Sequence, residues 1–125
     1  MERPTEKKKV LLIDDEKDLS ALVKINIEAT TGYEVLMATS GREGIELIKT
    51  ERPDLVLLDI VMPEMDGFEV LKLIKAIAPQ LPVAMVTAVL DEKEAKRAFK
   101  AGAYEYISKP IHADQLKRAM LVKLL

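Results

Sequence analysis

The 125-residue sequence contains no cysteine, which excludes disulfide bonds and thiolate chemistry and is compatible with a reducing cytoplasm. It has no apolar run long enough to cross a bilayer. Its basic N-terminal residues are not followed by the apolar segment of a secretory signal. It also lacks internal repeats and low-complexity segments. We therefore expect a cytoplasmic protein with no membrane association.

The sequence has no excess of positive charge. Its formal net charge is −2, whereas a nucleic-acid-binding domain is normally basic on at least one face, so we expect no nucleic-acid contact by this chain. The apolar fraction of 49% and the charged fraction of 32% are typical of globular proteins. We predict a solvated tail over residues 1–8 and a single domain over residues 9–125.

Two common nucleotide-binding motifs are also missing. No Gly-x-Gly-x-x-Gly pattern follows the first apolar segment, and no Gly-x-x-x-x-Gly-Lys phosphate loop occurs anywhere. A nucleotide-binding protein of either type is therefore excluded.

What the sequence does contain is a regular alternation of short apolar segments with longer amphipathic ones. Three apolar segments are continuous, as in strands covered on both faces. Two others are interrupted by Glu34 and Glu105, which is typical of edge strands. The five predicted strands lie within residues 10–13, 33–38, 55–58, 83–86 and 103–108.

Five helices are predicted between and after these strands. Ser40, Asp66 and Asp91 are suitable N-terminal caps, and Gly32 and Gly102 are suitable left-handed stops. The side chains expected to face inward are Leu19, Leu22, Val23, Ile45, Ile48, Phe68, Leu71, Ile74, Ile77, Ala95, Ala98 and Phe99.

Five strand–helix units predict an α/β fold with a five-stranded parallel sheet, because each strand must return through a right-handed helical crossover. The chain is too short for a closed eight-stranded barrel. We therefore predict a (βα)5 three-layer α/β/α sandwich with strand order 2-1-3-4-5. In such a sheet, ligands bind beyond the carboxyl ends of the strands, where the strand order reverses.

Acidic residues stand at the ends of the two strands that meet at this point. Asp14 and Asp15 follow the first strand, and Asp59 follows the third. Three adjacent carboxylates repel one another, and a hard divalent cation such as Mg²⁺ relieves that repulsion. Each aspartate alone is compatible with a simple helix cap, but the three together predict a metal site.

The same edge carries groups suited to phosphoryl chemistry. A carboxylate is a competent nucleophile toward phosphorus, and we assign that role to Asp59. Lys109, after the fifth strand, can neutralise charge on the phosphoryl group, and Thr87, after the fourth, can donate its hydroxyl.

These motifs resemble those of response regulator receiver domains, which belong to the CheY-like superfamily with a flavodoxin-like fold. The resemblance covers Lys9 to the C-terminus in order and spacing. Its motifs are Asp14-Asp15, the segment 57–67 with Asp59, Thr87-Ala88, Ala101-Gly102-Ala103 and Lys109-Pro110.

The resemblance implies a signalling switch and not an enzyme with an external substrate. Asp59 would accept a phosphoryl group from a sensor histidine kinase or a histidine phosphotransfer domain. Asp15 and Asp59 would bind Mg²⁺ directly, with Mn²⁺ able to substitute. Asp14 would act through a metal-bound water, and the backbone carbonyl of Val61 would complete the ligand set.

The resemblance also implies a switch pair, Thr87 and Tyr106. Thr87 would move toward the phosphoryl group, and Tyr106 would turn inward and alter a surface made by the fourth helix, the fifth strand and the fifth helix. That surface would serve output or formation of a homodimer. The Lys109–Pro110 peptide bond is commonly cis in this family.

Two valines depart from a frequent pattern of the family. Val61 and Val89 stand where many relatives carry polar side chains that help to place the hydrolytic water. An isopropyl group cannot orient water by hydrogen bonding, so we expect a long-lived phosphorylated state with slow autodephosphorylation.

Several alternatives stay open at this stage. An aspartate-nucleophile phosphatase of the haloacid-dehalogenase kind is disfavoured, because the first strand ends in adjacent Asp14-Asp15 and not in Asp-x-Asp. A degenerate receiver that binds partners without phosphorylation is a weaker alternative. Stand-alone action and attachment to an output domain are both open. Leu90, Leu121 and Leu125 are equally compatible with a partner surface and with an ordinary core.

Overall fold

A computed structural model of the chain describes residues 7–62, 64–88 and 90–124, with the side chains of 121–124 excepted. Most of the predicted tail, Val89, and the side chains of Leu121 and Leu125 therefore lie outside the described residues. Strands and helices alternate five times. The elements are β1 Lys9–Ile13, α1 Lys17–Thr31, β2 Glu34–Ala38, α2 Gly41–Glu51, β3 Leu55–Asp59, α3 Gly67–Ile77, β4 Val83–Thr87, α4 Glu92–Lys100, β5 Glu105–Ser108 and α5 Ala113–Leu124.

The five strands form one parallel sheet in the order β2-β1-β3-β4-β5, which confirms the predicted topology and both predicted edge strands. The strand order reverses between β1 and β3, where Ile13 pairs with Leu58. This register places the end of β1 beside the end of β3. Among the described residues, no helix is both long and apolar enough to cross a membrane.

The sheet separates two apolar clusters, because successive strand residues point to opposite faces. One face is covered by α2, α3 and α4, and its cluster includes Leu11, Leu58, Met85, Ile48 and Ile74. The other is covered by α1 and α5, and its cluster includes Leu12, Leu57, Val86, Ile27 and Leu116. The molecule is therefore the predicted three-layer α/β/α sandwich.

The predicted helix caps are confirmed. Ser40 Oγ, Asp66 Oδ1 and Asp91 Oδ1 each accept a hydrogen bond from a backbone amide in the first turn of α2, α3 and α4. Gly32 ends α1 in the left-handed region with a φ of 79°, a conformation that glycine adopts without steric cost.

Four predictions of inward-facing side chains are wrong. Leu19 and Leu22 on α1 are 46% and 64% exposed, and Ile77 and Phe99 are 44% and 48% exposed. On α1 the residues that face the sheet are instead Ser20 and Ile27. Val23, the third predicted residue of this helix, is partly buried and packs against the apolar cluster on this face of the sheet, as predicted.

Candidate phosphoryl-acceptor site

The carboxyl edge of the sheet brings the sequence-predicted residues together. Asp14 directly follows β1, and its backbone amide donates to Ala38 O at 3.0 Å, which continues the ladder between β1 and β2. Asp59 is the last residue of β3 and pairs with Val86. Thr87 is the last residue of β4. All three side chains are buried, with exposed fractions of 5%, 6% and 9%.

The three aspartates form the predicted cluster. Each of Asp14, Asp15 and Asp59 offers a carboxylate oxygen, and these oxygens lie within 4.8 Å of one another. Asp15 is exposed, whereas the other two are buried, so the cluster opens to solvent on one side. Hard oxygen donors with an open side suit Mg²⁺, which keeps several waters and takes few protein carboxylates. The donor set therefore fits the metal.

Lys109 lies against this cluster. Its Nζ is 2.9 Å from Asp14 Oδ2 and 3.5 Å from Asp59 Oδ2. Its backbone amide donates to Thr87 O at 2.7 Å, which holds the segment after β5 against the end of β4. The peptide bond between Lys109 and Pro110 is cis. The ammonium is thus already in place beside the carboxylates.

Burial and charge shift the pKa values of both groups. Burial raises the pKa of the Asp59 carboxyl to about 6, and the negative charge of Asp14 adds to that shift. Lys109 and a 3.4 Å hydrogen bond from the Val61 amide to Asp59 Oδ1 oppose it only in part. Burial lowers the pKa of the Lys109 ammonium, but its pairs with Asp14, Asp59 and Glu16 outweigh burial and raise that pKa. Lys109 therefore stays charged.

Glu16 is a site residue to which the sequence analysis assigned no role. Its Oε1 lies 3.3 Å from Lys109 Nζ, so the ammonium contacts three carboxylates. The backbone amide of Glu16 also donates to Asp14 Oδ1 at 3.0 Å and so orients that carboxylate. The only sequence feature that could have indicated a role for Glu16 is that it is the third acidic residue in succession after β1.

Gly67 fixes the loop that follows Asp59. Its amide donates to Ile60 O at 2.7 Å. A β-carbon at this position would lie 2.5 Å from Asp59 O and 2.7 Å from Ile60 Cα. Both are backbone atoms, so the start of α3 can approach the end of β3 this closely only with glycine.

The predicted switch pair is adjacent in the sheet. Tyr106 in β5 pairs with Met85 in β4, two residues before Thr87. Its side chain packs against the apolar cluster under α2, α3 and α4, and its hydroxyl oxygen is buried. Burial raises the pKa of the phenol, as does the charge of Glu94, while the neighbouring Asp91 backbone and Thr87 side chain offset this only in part. Tyr106 is therefore turned inward in this structure.

The structure describes only one of the two valines that are predicted to slow hydrolysis of the phosphorylated state. Val61, two residues after Asp59, is 74% exposed at the mouth of the site. Val89 lies outside the described residues, so its predicted position stays a prediction. At Val61, the mouth of the site presents an apolar side chain to solvent.

Comparisons with known proteins agree with this geometry. The sequence profile of the response regulator receiver domain matches residues 10–121. The chain is 37% identical over 103 residues to the alkaline phosphatase synthesis transcriptional regulatory protein PhoP of Bacillus subtilis, covering 82% of this chain and 42% of PhoP. It is 40% identical over 111 residues to the transcriptional regulatory protein CrdR of Helicobacter pylori, covering 88% of this chain and 52% of CrdR.

A solved structure shares the whole fold. The response regulator receiver domain protein from Clostridium thermocellum superposes with a TM-score of 0.84 and 34% identity, over 94% of each chain. The chain spans about half or less of the length of the two transcriptional regulators, so the similarity to them concerns one domain of each. The match of the family profile over most of the sequence decides the family. This chain belongs to the response regulator receiver domains.

Proposed function

We propose that the chain is a phosphorylation-dependent switch in which Asp59 accepts a phosphoryl group from a phosphohistidine. The donor is a sensor histidine kinase or a histidine phosphotransfer domain. The observation that carries the proposal is the buried Asp59 carboxylate beside both a carboxylate cluster and the Lys109 ammonium. Receiver-domain membership supports it, and the unit that performs it is proposed to be residues 9–125.

The covalent step is a direct displacement at phosphorus. A carboxylate oxygen of Asp59 forms a bond to phosphorus while the phosphorus–nitrogen bond to the donor imidazole breaks. The imidazole keeps the electron pair and takes up a proton from solvent. Lys109 stabilises the charge on one phosphoryl oxygen, and the Thr87 hydroxyl donates to another. Because Lys109 remains charged, it acts as a fixed cation and transfers no proton.

Asp14, Asp15, Asp59 and the Val61 carbonyl would hold Mg²⁺, or Mn²⁺ in its place. A bound divalent cation neutralises the phosphoryl oxygens as they approach the carboxylates. Glu16 and Asp14 keep Lys109 beside the site before the phosphoryl group arrives, at 3.3 and 2.9 Å from its Nζ. Lys109 would then exchange part of this pairing for the phosphoryl oxygen.

Signal output is proposed to pass through Thr87 and Tyr106 to the surface of α4, β5 and α5. Homodimer formation and contact with a partner are both proposed uses of that surface, to which exposed Leu90 contributes. Two relatives are named transcriptional regulators, so a DNA-binding output attached to this domain is one proposed arrangement, and stand-alone action is the other. We also propose that the protein acts in the cytoplasm.

The proposed function is tested by incubating the chain with Mg²⁺ and a small acyl-phosphate donor, followed by intact mass spectrometry. We expect the addition of one phosphoryl group, and no addition when the metal is chelated, because the carboxylates then repel the donor. No addition in the presence of Mg²⁺ would contradict the proposal and favour a receiver that acts without phosphorylation.

A second prediction concerns Val61. Replacement of Val61 by Gln supplies a group that can orient water, and one such hydrogen bond should speed decay of the phosphorylated state about two- to tenfold. Val61 is exposed, so the change should leave stability unaffected. Val61→Ile keeps the site apolar and is the control. Equal decay rates for the Gln and Ile variants would show that this side chain does not limit hydrolysis.

A further inference from the structure

A basic groove lies between α3 and α4, on the face of the molecule away from α1 and α5. It has a volume of about 540 Å³ and is lined by five cationic side chains together with Phe68 and Ala101. One cation belongs to α3 and four to α4 or its last turn. The cations are Lys72, Lys93, Lys96, Arg97 and Lys100.

The positive charge of this groove is largely uncompensated. Among the residues that the structure describes, Lys96 alone of the five forms an ion pair, at 3.9 Å from Glu92, with both side chains mostly exposed. Lys93 and Arg97 stand four residues apart on α4, and like charges at that spacing destabilise a helix. The chain as a whole carries a net charge of −2, so the cluster is a local feature and not a general property of the surface.

The floor of the groove is apolar and ordered. Phe68 is buried, and the Arg97 guanidinium carbon lies 3.9 Å above the centre of its ring. Stacking restricts the guanidinium, so less side-chain freedom is lost when its remaining donors bind a carboxylate. Phe68, Ala101 and the alkyl stems of the lysines also provide an apolar surface between the charges.

We propose that this groove binds an acidic peptide segment of a partner protein, one that carries an apolar side chain among its carboxylates. Charge complementarity selects the anionic partner, and the apolar floor selects the additional side chain. The groove has a volume of about 540 Å³, which can hold a short extended peptide segment, whereas a duplex is much larger and could contact only its rim. The proposal concerns the unphosphorylated protein and does not depend on phosphoryl transfer.

The test is fluorescence anisotropy with three labelled probes at about 0.1 M ionic strength, where charges are screened beyond about 10 Å. The first probe is a short peptide of glutamates and leucines, the second replaces each glutamate with glutamine, and the third is duplex DNA. The groove variant combines Lys72→Gln, Lys93→Gln and Lys100→Gln. The matched control combines Lys17→Gln, Lys49→Gln and Lys117→Gln, which are also exposed and change the net charge by the same amount. Thermal melts check that both variants fold. If the triple groove variant does not fold, the single variants Lys72→Gln and Lys100→Gln are tested in its place.

We expect the glutamate peptide to bind the wild-type chain with a dissociation constant below about 1 mM. The groove variant should bind it about tenfold more weakly, and the control within about twofold of wild type, because only the groove charges lie within screening distance of the peptide. Equal weakening by the two variants would overturn the proposal, as would equal binding of the glutamine peptide. Absence of binding up to about 1 mM would overturn it too. DNA binding that is tighter than peptide binding and lost in the groove variant would assign the groove to nucleic acid instead.

Discussion

Replacement of Asp59 by Asn is expected to abolish phosphorylation and, in the same protein, to increase the free energy of unfolding in metal-free buffer at pH 7. The amide cannot serve as the nucleophile, so the added phosphoryl mass should disappear. The amide also carries no charge, so it removes a buried carboxylate that lies within 4.8 Å of carboxylate oxygens on Asp14 and Asp15. Loss of function together with a gain in stability is characteristic of a residue that is kept for chemistry.

The gain in the free energy of unfolding on replacing Asp59 by Asn should increase as the pH rises. Burial and Asp14 raise the pKa of Asp59 from 3.8 to about 6, so the folded protein binds this proton more tightly than the unfolded chain does. The wild type therefore loses stability as the pH rises from about 4 to about 6, and the loss stays constant above that range. The two proteins should be similarly stable at pH 4, and the Asn variant should be more stable by about 2 kcal/mol at pH 7.

Urea denaturation of both proteins across this pH range, with and without Mg²⁺, measures the effect. Mg²⁺ should stabilise the wild type and have a smaller effect on the Asn variant, because one ligand has lost its charge. Glu46→Gln removes a carboxylate that is 68% exposed and should change stability by less than about 0.5 kcal/mol. A variant no more stable than the wild type at pH 7 would contradict the repulsion assigned to the cluster.

Replacement of Gly67 by Ala is expected to destabilise the protein by about 3 kcal/mol and to slow phosphorylation. The new β-carbon would lie 2.5 Å from Asp59 O and 2.7 Å from Ile60 Cα, and neither backbone atom can rotate away. The loop after β3 must therefore move, and it carries the Val61 amide that donates to Asp59 Oδ1. Denaturant unfolding and the rate of phosphoryl addition provide the two measurements.

Gly44→Ala is the matched control for this prediction. There the β-carbon would meet only the side chain of Ile13, its Cδ1 most closely and its Cγ1 at 2.9 Å, and a side chain can adjust its rotamer whereas backbone atoms cannot. The helix also gains from alanine in its interior. We expect a smaller loss of stability than for Gly67→Ala and an unchanged phosphorylation rate relative to wild type. Equal effects of the two substitutions would show that the contact with the acceptor strand has no special importance.

Local features of the sequence predicted most of the fold. The caps at Ser40, Asp66 and Asp91 could be identified because each acts on amides two or three residues away in the chain. The meeting of Asp14 with Asp59 followed from the strand order 2-1-3-4-5 expected of an open doubly wound sheet, in which the first and third strands are neighbours. The cluster of three carboxylates was predictable because two neighbouring strand ends carry all three aspartates.

Features that depend on packing could not be predicted in the same way. The face of α1 was assigned correctly only in part, because hydrophobicity favoured Leu19 and Leu22, whereas the helix buries the polar Ser20 beside Ile27. The pairing of Glu16 with Lys109 joins residues that are 93 positions apart in the sequence, and no local sequence pattern predicts it. The stacking of Arg97 on Phe68 likewise requires α3 and α4 to be placed against each other.

The most direct test of the central claim is identification of the phosphorylated residue. The chain is phosphorylated with an acyl phosphate and Mg²⁺, treated with borohydride to reduce the aspartyl phosphate to homoserine, digested and sequenced by mass spectrometry. We expect homoserine at position 59 alone, because Asp59 is the buried carboxylate at the end of β3 that belongs to the carboxylate cluster and lies 3.5 Å from the Lys109 ammonium. Homoserine at Asp14 or Asp15 with Asp59 intact, or modification of a side chain other than aspartate, would contradict it.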